Sequence, residues 1–79
     1  MKTSDLEAVL ACHRALDIPL QHSVAFVYRV LGLSLSATAE RAGYSRNALY
    51  KALSGERTPS VELRKAVRED VGIDVWAER

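Results

Sequence analysis

A single cysteine among 79 residues excludes an internal disulfide framework and fits a reducing compartment. With only two histidines to join it, that cysteine has no partners for a tetrahedral zinc set. Cys12 and His13 are neighbours, so on a helix they point about 100° apart, and His22 lies beyond a proline. The same divergence argues against a Cys/His nucleophile pair, because adjacent helical residues do not face each other. The sequence has no glycine-rich phosphate loop and no clustered carboxylate pair. An enzyme is therefore not expected, and no cofactor or metal is implied. Long apolar runs are missing as well. Asp17 and Pro19 interrupt the first twenty residues, so no signal peptide or membrane span is expected, and the chain is expected to be cytoplasmic. Aromatic residues make up only 6% against 48% hydrophobic content, which predicts an aliphatic, alanine-rich helical core and argues against disorder. A chain this short makes one domain, residues 1–79, with a core too small to enclose a deep substrate cavity.

What the chain does have is punctuation. Residues 34–60, SLSATAERAGYSRNALYKALSGERTPS, read as helices delimited by serines and glycines. Ser34, Ser45 and Ser60 stand where helices would begin, and a serine hydroxyl can accept from the free N–H groups of a first turn. Gly43 and Gly55 stand where helices would end. Helices are thus expected over about 35–42 and 46–54, with Gly43 and Tyr44 in the turn, which is the grammar of a helix-turn-helix. A further helix is expected over about 61–71. Val61, Leu63, Ala66, Val67 and Val71 would face inward, and the start is open between Thr58 with Pro59 and Ser60.

Upstream, Ser4 and Glu7 form an S-x-x-E capping box for a helix from about Asp5 to Leu16. Its stripe is Leu6, Val9, Leu10, His13 and Leu16 or Asp17, and Ile18-Pro19 should end it. This segment (1–20) is a packing helix or a dimerisation arm. A second helix is expected over about 24–31, with Ser23 as cap and Gly32 past its end. Val24, Phe26, Val27, Val30 and Leu31 are dense enough to bury it. Their β-branched members would also permit a strand, but Gly32 followed by Ser34 supplies a stop and a start in the order a helix pair needs. No hairpin pattern is present, so the expected class is all-α, with 24–72 as the motif core and 73–79 as a tail.

The net charge of +1 says little, but its distribution says more. Residues 24–60 carry Arg29, Arg41, Arg46, Lys51 and Arg57 against Glu40 and Glu56, a net +3, while the segments on either side are each −1. The positive charge sits where the motif lies, as contact with phosphates requires. The excess is modest, so two copies should bind better than one.

In a helix-turn-helix the second helix enters the major groove with its N-terminal residues nearest the bases. Here those are Ser45, Arg46 and Asn47, followed a turn later by Tyr50 and Lys51. Arg can donate two bonds to guanine O6 and N7, and Asn can pair with adenine N6 and N7. Arg46, Asn47, Tyr50 and Lys51 are therefore the base-reading candidates, with Tyr50 equally able to pack on a neighbouring helix. Ser45, Arg41, Arg57 and Thr58 are candidates for phosphate contacts, which position without reading sequence. Leu49 is the expected knob into the core. Trp76 with Ile73 and Val75 reads as a core lid or a dimer contact, and the first helix and the tail are the two candidates for a subunit interface.

GYSRNALYKALSGERTPS resembles the recognition-helix segment of the lambda-repressor/Cro-like helix-turn-helix superfamily. AGYSRNALYKALSG with a following PS is similar to addiction-module antidote proteins, and LSLSATAERAGYS with the terminal DVWAER is similar to Ner-like phage regulators. The resemblance covers about residues 24–76. It implies a compact five-helix, lambda-repressor-like domain. The implied function is sequence-specific DNA binding, with base reading by Arg46, Asn47 and Tyr50 and backbone contact by Ser45 and Arg57. The expected protein is a promoter-occluding repressor, a homodimer on an inverted-repeat operator in double-stranded DNA. The alternative is a protein-interaction module, such as an antidote that neutralises a partner protein. Three positions depart from the superfamily pattern. Leu35 stands where a phosphate-bracing glutamine is common. Thr38 and Ala42 replace larger aliphatics, which predicts looser packing between the motif helices.

Overall fold

The computed structural model describes residues 3–77, which form five helices with no strand among them. They are α1 (Thr3–Ala15), α2 (Leu20–Leu31), α3 (Leu35–Arg41), α4 (Arg46–Ser54) and α5 (Val61–Val71). The all-α expectation holds, and α4 and α5 have the bounds read from the sequence. The chain folds into a body of 30 × 24 × 18 Å.

Serine caps open the last three helices. Ser34, Ser45 and Ser60 accept from the backbone N–H of Ala37, Ala48 and Leu63 respectively. Each satisfies one of the donors that a first turn leaves free. Ser60, not Thr58, is therefore the start of α5. The α3–α4 turn is set by Gly43, whose φ of 84° lies in the left-handed region that glycine enters freely. The Tyr44 N–H reaches back to Ala39 O at 2.8 Å and closes the turn.

Two expected caps are not caps. Ser4 lies inside α1, which already includes Thr3, so the Ser4/Glu7 box does not mark the helix start. Ser23 lies inside α2, which begins at Leu20 behind Pro19. Ser23 is 1% exposed, and its hydroxyl meets His13 Nδ1 at 2.9 Å and Pro19 O at 3.4 Å. The cap thus lies four residues upstream, at Pro19, whose φ is already preset for a helix start. α1 also stops before the Ile18-Pro19 pair. Asp17 takes φ 57° there, and the N–H groups of Asp17 and Ile18 return to Arg14 O and His13 O.

The core gathers Leu6 from α1, Leu20, Val24, Val27 and Tyr28 from α2, Leu49 and Leu53 from α4, and Leu63, Val67 and Val71 from α5. Val75 from the tail joins it. Leu49 is fully enclosed, as expected of the knob. The density of apolar residues in α2 does not mean that all of them are buried. Phe26 and Val30 remain 46% and 48% exposed, on the side of the helix opposite Val24, Val27 and Tyr28. Phe26 leans instead on the ring of His13, 5.6 Å away. Leu16 and Val61, both expected inside, are exposed. Each sits at a helix end, past the last residue of α1 or first in α5, where neighbouring helices no longer cover it.

The α3 face that looked underpacked is held by polar contacts. Thr38 is 1% exposed, and its hydroxyl lies within hydrogen-bond reach of Asp70, of the Tyr28 hydroxyl and of Ser34 O. Tyr28 donates to the same Asp70 oxygen at 2.7 Å. Arg41 donates to the other at 2.9 Å and to Ala66 O at 3.0 Å. One carboxylate on α5 thus gathers α2 with the middle and the C-terminal end of α3. Leu35 enters the core at 8% exposure, so that position braces the domain from inside.

Candidate nucleic-acid interface

α4 is amphipathic over two and a half turns. Ala48, Leu49, Ala52 and Leu53 are buried, while Arg46, Asn47, Lys51 and Ser54 are exposed. The exposed residues recur at helical spacing, so Arg46, Asn47 and Lys51 share one surface. Ser45 is exposed at its head. Because its hydroxyl accepts from Ala48 N–H, its own proton is still available for an outside acceptor.

Tyr50 stands apart from these. It is half-buried, packed against the core, and lines clefts shared with Ala25 and Gln21 of α2. Its hydroxyl accepts from Arg46 Nη2 at 3.1 Å, and the guanidinium carbon lies 5.1 Å from the ring centroid. That combines a hydrogen bond with a cation–π contact one helical turn apart. Tyr50 divides the surface into two clefts. One is lined by Arg29, Ser34, Ser36 and Arg46, and the other by Gln21, Asn47, Lys51 and Ser54.

Arg29, Ser36 and Gln21 were not singled out from the sequence. The signal was available in α2. Gln21, Ala25 and Arg29 follow an i, i+4, i+8 spacing, which lays a polar–small–basic line along the side that meets α4. Arg57 and Thr58 are exposed in the α4–α5 loop, which is anchored by the Arg57 N–H on Lys51 O at 3.2 Å. Arg41 does not join this group. Its guanidinium is paired with Asp70 and with Ala66 O, and its structural partners are on α5.

Ionisation follows from these contacts. Burial works to raise the Asp70 carboxyl, but the hydrogen bonds from Thr38, Tyr28 and Arg41 outweigh it and hold it below the usual carboxylate range. Burial pushes the Tyr28 phenol well above its ordinary value, with Asp70 adding to the effect. Asp74 is also lowered, since the bonds from Arg64 and the Trp76 N–H overcome its own burial. All three groups keep their usual charge at neutral pH.

The tail secures the far end of α4. The Trp76 indole N–H donates to Ala52 O at 3.2 Å, satisfying one of the carbonyls that a helix end leaves open. The lid reading of Trp76 fits this contact. A further concavity, along Val61, Lys65 and Arg68 of α5, shares no residue with the two clefts. Among the described residues no group of three or more His, Cys, Asp or Glu is placed to share a metal ion. Among the same residues no helix is long and apolar enough to cross a membrane.

A family model described as helix-turn-helix matches residues 28–73, from the second half of α2 to just past α5. Comparison with curated proteins and with solved structures returned no match. The matched span contains α3, the Gly43 turn and α4 in full, and leaves α1 and the Trp76 tail outside it. A capped pair of short helices with Arg46 and Asn47 at the exposed head of the second, inside that match, identifies the chain as a member of the helix-turn-helix family of lambda-repressor/Cro-like, DNA-binding transcription regulators.

Proposed function

We propose that the chain is a sequence-specific repressor that occludes a promoter, its own included, in an operon of the phage-regulator or toxin–antitoxin kind, and that it works in the cytoplasm. It binds double-stranded DNA as a homodimer on an inverted repeat. The single observation that carries this reading is the pairing of Arg46 and Asn47, both exposed on the first turn of α4. Arg and Asn are the side chains that match guanine and adenine edges bidentately in the major groove. Lys51, one turn on, extends the same surface. Ser45 and Arg57, with Thr58 beside it, serve the phosphates, and Arg29 and Ser36 join them from the cleft beside Tyr50. Arg41 contributes to fold more than to DNA, because Asp70 already neutralises it.

Two copies with recognition helices one DNA turn apart, roughly 34 Å, read half-sites about 10 bp apart. Affinity is expected to fall steeply with salt, because neutralising phosphates releases counterions. The test is an electrophoretic shift with the DNA upstream of the chain's own gene. Arg46→Ala and Asn47→Ala are each expected to lose about 1–3 kcal/mol of specific binding with unchanged melting temperature. Unchanged operator affinity in both variants sinks the assignment of the reading surface.

A further inference from the structure

We propose that Tyr50 is a specificity-determining positioning residue, which acts on DNA through Arg46 by holding its guanidinium toward a guanine and touches no base itself. The proposal rests on the reading of α4 as the base-reading helix. An arginine reads guanine only when its planar fork lies in the plane of the base pair, and a free arginine side chain must give up many rotamers to reach that geometry. Here the restriction is already in place before any DNA arrives.

The phenol oxygen fixes one terminal nitrogen of Arg46 at 3.1 Å, and the ring face holds the guanidinium carbon at 5.1 Å from its centroid. Two contacts to one rigid ring define both the position and the direction of the group. Tyr50 can serve as the post because its ring packs against the core. The ring is half-buried there, at the meeting of the two clefts that Ala25 and Gln21 of α2 help to line. The phenol takes one of the five guanidinium N–H donors, and adjacent donors remain for O6 and N7 of guanine.

The experiment is selection of duplexes from a randomised library by the full-length wild-type chain, followed by affinity measurements on the selected duplex and its single-base variants. Tyr50→Phe keeps the ring and removes the oxygen. It is expected to melt as the wild type does and to keep the wild-type salt slope. Preference for guanine at the position that Arg46→Ala relaxes should fall roughly threefold to tenfold. In an Arg46→Ala background, Tyr50→Phe is expected to change nothing. Equal losses in both backgrounds overturn the proposal, since Tyr50 then contacts DNA on its own. A salt slope reduced by about one also overturns it, because Tyr50 then holds a phosphate. If the wild-type chain selects no sequence at all, base reading by α4 fails first, and the role of Tyr50 falls with it.

Discussion

Asp17 holds a conformation that side chains with a Cβ rarely adopt. It is the one non-glycine residue with positive φ among those described, at 57°. It does for α1 what Gly43 does for α3: it turns the chain so that two backbone N–H groups return to the last turn. Asp tolerates this region better than most residues but still bears a steric cost that glycine lacks. Asp17→Gly is therefore expected to stabilise the fold by about 0.5 kcal/mol, the relief being partly offset by the greater freedom of glycine in the unfolded chain. A urea midpoint that rises with unchanged slope supports this, and one that falls refutes it. Nothing in the local sequence flagged the position, because the sequence signal for a left-handed stop is glycine. Ser4 and Ser23 misled for a related reason. A serine can cap a helix or sit inside one, and only the partner of its hydroxyl decides which. For Ser23 that partner is His13, ten residues away.

At the scale of helices, Asp70 is the joint. One carboxylate receives Tyr28 from α2 and Thr38 and Arg41 from α3, and the helices it ties together include the first of the motif pair. Its acidity is lowered by these bonds, so its folded pKa lies below its unfolded value of about 3.9. The stabilisation is thus fully present above that unfolded value and is lost as pH falls through the folded one. Asp70→Asn is expected to cost about 2 kcal/mol at pH 7, because it leaves the Arg41 charge and the buried hydroxyls poorly matched. It should also flatten the fall in stability below about pH 4, as read by denaturant titration across that range. A variant with the wild-type acid profile removes Asp70 from this role. The local pattern around α3 and α4 was legible because caps and glycines act over three or four residues. Thr38 was not, since its partner is 32 residues distant and small side chains there suggested a gap where a hydrogen-bonded knot exists. The partner of Arg41, the Asp70 carboxylate 29 residues on, was invisible for the same reason.

On the scale of the molecule, the segments outside the family match support the domain itself. Leu6 of α1 and Val75 of the tail face the core at 3% and 7% exposure, so neither segment is a loose arm. The proposed homodimer must then form with these elements in place. Sedimentation over a concentration series is expected to show association, sharpened by operator DNA, and a monomer throughout, free and bound, refutes the dimer. The tail has a further consequence. Trp76 is the one tryptophan in the chain, and its indole is hydrogen-bonded to the back of α4. Intrinsic fluorescence excited at the indole band therefore reports from a single place, directly behind the helix assigned to the DNA. Any tightening or fraying of α4 on complex formation can be followed in native protein, with no dye attached and no residue on the exposed face altered.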